Sequence, residues 1–350
     1  MKPQKIFYPF SIFYGIAVRI RNFLYNSGIF SSRSFKIPVI CTGNLSTGGT
    51  GKTPQVEYLM GLLSSNFKTA VLSRGYKRES SGFLIARKGM TTDTLGDEAY
   101  GYFLKFPQSI VAVGENRKSA IERILKSFPE TDCIVMDDGM QHRSVKPGLL
   151  IMLTGYHHLF TRDHLLPAGH LREPRSGYKR ADVIIVTKCP PGISESRKKE
   201  LINEINPLKH QKVFFSFLRY SAPEPFHQQP ELPSSDMMKK EYSALAFSGI
   251  AHPALFNHYV TERFAHAELI SFSDHHQYTR EDIQSIVNKF NNIASAKKII
   301  LTTGKDFVKL RHHVSIRELP AYYLPVATEF SDGDKQIFDD LILNYARANQ

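Results

Sequence analysis

The run "IPVICTGNLSTGGTGKTP" (37–54) restricts this chain more than any other segment. An apolar β-rich stretch enters a glycine-rich turn. Gly-Lys-Thr then leads into "QVEYLMGLL" (55–63), where apolar residues recur at helical spacing. Strand, turn and helix form one device, in which backbone N–H groups of the turn and helix N-terminus face phosphate oxygens. The cradle comprises Thr47, Gly48, Gly49, Thr50, Gly51, Lys52, Thr53 and Pro54. Its glycines let the backbone bend and approach a phosphate without a Cβ clash. Lys52 is placed to reach the β/γ-phosphates, and the Thr53 hydroxyl to ligate Mg²⁺. Pro54 falls in the first helical turn, where its missing N–H does little harm. Ser46 stands where G-x-x-x-x-G-K-[ST] has its first glycine. The core "GGTGKT" in its strand–turn–helix setting keeps the nucleotide reading; without that setting it would be a turn that caps a helix.

A phosphate cradle calls for a carboxylate at the end of another apolar strand. "DCIVMDDGMQH" (132–142) supplies Asp137 and Asp138. Paired carboxylates there are costly unless a cation neutralises them, and they can hold a metal with its water shell. Which of the two touches Mg²⁺ stays open. A guanine reader would carry Asn/Thr-Lys-x-Asp after a strand. "VIIVTKCPP" (183–191) has Thr187 and Lys188 but Pro190 in place of the Asp, so ATP is the expected nucleotide.

Strand-like and helical patterns alternate along most of the chain. Strands are expected at 37–43, 69–73, 109–113, 132–137, 149–153 and 182–187, with helices at 55–63, 116–128 and 195–206. This implies an α/β, P-loop NTPase-like fold: a mostly parallel sheet with helices on both faces. Residues 218–238 hold four prolines and read as a linker or extended ribbon. A second rhythm follows, with strands near 243–247, 267–272, 297–303 and 322–326 and helices near 253–262, 279–292 and 335–348. The expected organisation is an N-terminal helical segment 1–35, a kinase-like core 36–217, a linker 218–238 and a smaller α/β domain 239–350.

Composition narrows the partners. The net charge of +12 favours polyanions such as nucleic acid, anionic lipid or phosphorylated substrates. No nucleic-acid motif appears, and the basic residues do not interleave with aromatics beyond the N-terminal segment, which argues against nucleic acid. The three cysteines, Cys41, Cys133 and Cys189, lie far apart without metal-binding spacing. The stretch 6–30 is apolar and aromatic but interrupted by Pro9, Arg19 and Arg21, so it suits neither a cleaved signal nor a bilayer span, which needs roughly 20 mostly apolar residues. Phe10, Phe13, Tyr14, Ala17, Ile20 and Leu24 share one helical face, surrounded by Lys2, Lys5, Arg19, Arg21, Arg33 and Lys36. The first acidic residue is Glu57. That pattern fits a helix lying in an anionic membrane interface; the alternative is a helix packed on the protein's own core. No obligate protein partner is evident.

Further charged clusters follow expected strands or loops: "SRGYKR" (73–78), "LGDEAYG" (95–101), "GENRK" (114–118), "LLPAGHLREPRSG" (165–177), "SFSDHHQY" (271–278) and "LTTGKDFVKL" (301–310). Taken in order with "GNLSTGGTGKTP" and "DDGMQH", the set resembles the tetraacyldisaccharide 4'-kinase (lipid A 4'-kinase) family across residues 43–310. Ser46 is itself expected in that family.

The resemblance implies transfer of the ATP γ-phosphate, with Mg²⁺, to the 4'-hydroxyl of tetraacyldisaccharide 1-phosphate, giving lipid IVA for lipid A biosynthesis. The implied location is the cytoplasmic face of the inner membrane of a Gram-negative bacterium, with peripheral attachment through the N-terminal segment. Asp97 matches the family's catalytic carboxylate, the general base for the sugar hydroxyl; alone it would read as a helix N-cap. His275 matches the histidine that pairs with it, though His276 is adjacent. Lys52 and Thr53 keep their cradle roles. Arg172 would stabilise charge on the transferring phosphate, and Arg74 and Arg117 would hold the substrate phosphate or ATP; each would otherwise read as a surface arginine. His170 departs from many members and receives no chemical role. Competing readings are a P-loop ATPase or metallochaperone, for which no Cys/His cluster appears, and a nucleotide-gated module that binds membrane or nucleic acid without a phosphoryl acceptor.

Overall fold

The computed structural model describes residues 5–227, 229–230, 232–233 and 235–349. Lys2 of the basic set lies outside the described residues, as do the rest of 1–4 and linker residues 228, 231 and 234. Contacts divide the chain into two units, Met1–Leu218 with Thr328–Gln350, and Arg219–Ala327.

The strands are β1 (Val39–Asn44), β2 (Thr69–Ser73), β3 (Leu84–Ile85), β4 (Ile110–Val113), β5 (Cys133–Met136), β6 (Leu149–Gly155), β7 (Val183–Thr187), β8 (Lys212–Tyr220), β9 (Glu224–Pro225), β10 (Ser243–Ser248), β11 (His266–Ser271), β12 (Lys298–Thr303), β13 (Ala321–Leu324) and β14 (Val326–Phe330). The helices used below are α1 (Tyr8–Asn26), α2 (Lys52–Ser64), α3 (Thr92–Leu95), α4 (Asp97–Lys105), α5 (Arg117–Ser127) and α6 (Glu195–Ile205).

The first sheet runs β14-β8-β7-β6-β1-β5-β2-β4-β3. From β8 to β4 its pairings are parallel; β3 joins antiparallel to β4. Every residue of β1, β2, β5 and β7 is buried. Successive side chains point to opposite faces, so both faces are covered, which is why these strands read as unbroken apolar runs. Because the strands are parallel, Asn44, Ser73, Met136, Gly155 and Thr187 all finish at one edge. The second sheet, β11-β10-β12-β13-β9, is parallel except for β9.

Three expectations change. The strand expected at 322–326 is two strands, β13 and β14, parted at Pro325, which cannot donate to a ladder. Nothing in the sequence pattern singled out β8. The domain expected to run from 239 to 350 ends sooner, because Thr328–Gln350 belongs with the first unit. The last helix, α12 by chain order (Asp332–Ala348, after α7 Ser235–Glu241, α8 Ala254–Arg263, α9 Arg280–Asn292, α10 Gly304–Leu310 and α11 Val314–Arg317), explains that return. Its Phe338 is fully buried, with rings of Phe330, Phe214 and Tyr58 at 4.7, 5.3 and 5.9 Å, and Tyr58 donates to Asp339 Oδ1 at 2.6 Å.

Helix α1 lies against its unit by a narrow polar seam. Ser11 and Gly15 are buried, and a Cβ on Gly15 would sit 2.8 Å from Leu165 Cδ1. Phe10, Phe13 and Ile20 are exposed, while Tyr14 and Leu24 are half-buried. Among the described residues no helix is long and apolar enough to cross a membrane. Removing the Phe338 ring leaves a cavity that its neighbours cannot fill. Phe338→Ala should cost about 3–5 kcal/mol in urea unfolding, whereas Ile337→Ala, half exposed on the same helix, should cost well under half of that.

Candidate active site

The glycine-rich turn connects β1 to α2 at the C-terminal edge of the parallel sheet, where open α/β sheets bind ligands. Gly48 and Gly51 take φ of 98° and 84°, the left-handed region that glycine tolerates without strain. Other segments hold the turn's polar atoms. Thr187 Oγ1 donates to Thr50 O at 2.7 Å, and Lys188 Nζ to Gly49 O at 2.6 Å. Asn44 Nδ2 donates to Thr50 Oγ1 at 2.7 Å, and Thr47 N to His170 O at 2.7 Å. Thr187 and Lys188, two residues of the incomplete guanine pattern, therefore brace the cradle.

Lys52 and Thr53 open α2. Lys52 Nζ lies 3.8 Å from Asp138 Oδ2, and Thr53 Oγ1 donates to Glu98 Oε1 at 3.1 Å. The two adjacent aspartates have opposite surroundings. Arg172 forks onto Asp138 with contacts of 3.0 and 2.8 Å. Burial raises the Asp138 carboxyl, but Lys52 and Arg172 outweigh it and hold the group at about 2. Asp137 is almost wholly buried; its Oδ2 accepts Ser73 Oγ and Tyr102 OH, each at 3.2 Å. Its Oδ1 has no hydrogen-bond partner among the described residues. Burial, then the Glu98 and Asp138 charges, push its carboxyl up to about 8.

An orphaned buried carboxylate oxygen beside two further acids fits a divalent cation, which would supply the missing positive charge. Among the described residues no three His, Cys, Asp or Glu side chains converge to hold a metal alone. Mg²⁺ ordinarily keeps water and takes one or two carboxylates plus substrate phosphates, so the donor set suits it.

Asp97 is buried and begins α4, directly after Gly96, whose φ is 82°. A Cβ on Gly96 would stand 2.8 Å from Tyr76 O, so the 73–78 turn and the "GDE" turn press together and leave no room for a side chain there. Arg74 is exposed where β2 ends. Arg117 differs from the expectation that it holds a substrate phosphate or ATP. It is 1% exposed, and its guanidinium donates to Gly114 O and, at 3.3 Å, to Asp137 O. Burial lowers it to about 10. It braces the end of β5 from within.

In the second unit, His275 has φ 56° in the turn after β11. His276 is engaged locally: Nε2 is 2.8 Å from Asp282 Oδ2 and its ring stacks on Phe272 at 4.6 Å. Asp282 belongs to the capping box that starts α9. "LTTGKD" is similarly structural, since Thr303 caps α10 and the fully buried Asp306 accepts Gly249 N at 3.0 Å. Lys305 pairs with Asp274 at 2.8 Å.

Sequence reasoning missed Glu98, Asn44, Gln141 and Glu173. Glu98 carried a signal, an acidic pair opening a helix; the other three are polar residues that also meet partners from distant segments. His142, on the same turn as Asp138, is held down to about 4 by burial and the charges of Arg117 and Arg74. Its ordinary value is near 6.5, so the unfolded chain takes up a proton first as pH falls. Stability should drop between about pH 6.5 and 4. Urea midpoints without divalent cation should show His142→Asn losing less than the wild type between pH 7 and pH 5.

Comparison with known proteins identifies the family. A family model described as tetraacyldisaccharide-1-P 4'-kinase matches residues 3–347. A tetraacyldisaccharide 4'-kinase of Flavobacterium johnsoniae is 42% identical over 346 residues, 99% of this chain and 98% of the relative. One of Flavobacterium psychrophilum is 44% identical over 355 residues, with the same coverage. The crystal structure of LpxK from Aquifex aeolicus in complex with ATP superposes with a TM-score of 0.75 at 27% identity, covering 97% of this chain and 98% of that one. With the cradle, the paired aspartates and these matches over nearly its whole length, the chain belongs to the tetraacyldisaccharide-1-P 4'-kinase family.

Proposed function

We propose that the chain transfers the γ-phosphate of ATP to the 4'-hydroxyl of tetraacyldisaccharide 1-phosphate, giving lipid IVA, at the cytoplasmic face of the inner membrane of a Gram-negative bacterium. The observation that carries this reading is the cradle with Lys52 3.8 Å from Asp138, at the edge of the parallel sheet. Residues 47–54 bind the phosphates, and Lys52 neutralises charge on the group in transit. Thr53 and Asp137 would hold Mg²⁺, with Asp138 beside them, where it orients Lys52 and Arg172. Mg²⁺ held there would supply positive charge to the phosphates.

The sugar 4'-oxygen bonds to the γ-phosphorus as the bond to the β–γ bridging oxygen breaks, and ADP leaves. Asp97 accepts the hydroxyl proton. Phosphoryl transfer through a loose transition state needs orientation more than a strong base, so a carboxylate suffices. His275, with the adjacent His276 as the alternative, is assigned to tune that proton acceptance. Arg172 adds positive charge where the phosphoryl passes, and the exposed Arg74 is assigned to a substrate phosphate. Helix α1 presents Phe10, Phe13, Ile20 and Phe23 outward, flanked by exposed Arg19 and Arg21, which suits an anionic lipid surface.

Label transfer from γ-³²P ATP to tetraacyldisaccharide 1-phosphate in detergent micelles tests the reaction. Lys52→Ala and Asp97→Ala should each lower kcat by about 10²–10⁴. Magnesium-dependent ATP binding without any labelled lipid would remove the acceptor assignment. For the histidine, the pH profile of kcat is the readout. His275→Ala should lower kcat and alter the acid limb; an unchanged profile would withdraw His275 from the reaction.

A further inference from the structure

The loop between β6 and β7 does something that phosphate transfer alone does not require. Residues 163–173 are bonded both to α1 and to the cradle. On the α1 side, Ser11 Oγ donates to Leu165 O at 3.1 Å and accepts Ala168 N at 2.9 Å. Tyr14 OH donates to Arg172 O at 2.7 Å, and Asn22 Nδ2 to Glu173 Oε2 at 3.4 Å. On the cradle side, Leu171 pairs with Ser46 as an isolated β-bridge, and Arg172 N donates to Leu45 O at 2.7 Å. The Arg172 guanidinium reaches Asn44 as well as Asp138.

Glu173 joins the two sides. It is 2% exposed, and its Oε2 accepts Arg180 Nη2 at 2.6 Å. Its Oε1 accepts Gln141 Nε2 at 2.8 Å, and the same Nε2 donates to Asn44 O at 2.9 Å. Asn44 in turn donates to Thr50 Oγ1 within the cradle. The helix at the far end has little apolar burial of its own: its buried positions are Ser11 and Gly15. In water its hold on the loop rests mainly on hydrogen bonds that solvent competes for. An apolar, negatively charged surface would take up its outward phenylalanines and isoleucines and its arginines, and so fix the helix and what it is bonded to.

We propose that an anionic lipid surface seated on α1 orders the 163–173 loop and thereby tightens nucleotide binding at the cradle, with Glu173 as the positioning residue that couples them. This rests on the membrane and nucleotide assignments above. Linkage requires reciprocity: nucleotide also strengthens the hold on lipid.

The test is titration of the full chain with a fluorescent N-methylanthraniloyl ATP and Mg²⁺. It is run with and without vesicles of phosphatidylglycerol and phosphatidylethanolamine that contain no acceptor lipid. Vesicle co-sedimentation is measured in parallel. The wild-type Kd should fall about fivefold or more on vesicles, the low end of ordinary coupling. Tyr14→Phe and Asn22→Ala should bind vesicles, bind nucleotide normally without them, and lose most of the response. Glu173→Gln should lose it entirely; should that variant misfold, the two α1 variants decide. A vesicle-bound wild type with unchanged Kd overturns the coupling, as does a full response in both α1 variants. A wild type that does not sediment with vesicles overturns the membrane assignment of α1 and the coupling together.

Discussion

A glycine-rich turn is useful as a phosphate cradle only if it is held in one shape, and here its carbonyl groups are held by donors from elsewhere. Thr187 takes Thr50 O, Lys188 takes Gly49 O, and Gln141 and Arg172 share Asn44 O. Glycine permits the left-handed φ of Gly48 and Gly51 but also leaves the chain free to abandon it. Satisfying the carbonyls from β7, from the 139–142 turn and from the 163–173 loop removes that freedom. A preorganised site of this kind need not reorganise when charge moves.

The two aspartates at the end of β5 show how one residue of displacement changes chemistry. Asp138 meets Lys52 and the Arg172 fork and stays ionised. Asp137, just past the strand end, is buried, and burial together with the Glu98 and Asp138 charges raises its carboxyl, a cost that a cation would offset. Arg117 is buried behind them and donates to backbone carbonyls at Gly114 and Asp137.

Helix α1 is built in the opposite sense from an ordinary surface helix. Its polar and small residues Ser11, Gly15 and Asn22 face the protein, and Phe10, Phe13 and Ile20 face outward. An apolar periodic stripe marks a helix but does not say whether the protein or another phase covers it. The close approach at Gly15 and the hydrogen bonds of Ser11 settle which face meets the loop.

The unbroken apolar strands, the glycine-rich turn and the "DDG" strand end were legible without coordinates because each depends on near neighbours. Strand and helix periods, left-handed turns and a lysine placed beside the turn are local properties. Residues such as Arg117, Glu173, His276 and Asp306 were not legible. In sequence a buried arginine looks like an exposed one, and Glu173 finds Asn22 and Gln141 only after distant segments fold together. The return of Thr328–Gln350 to the first unit was hidden for the same reason: Phe338 needed Phe214 and Tyr58, far away in the chain. Local chemistry named the device, while burial and long-range partners decided which charges brace the fold.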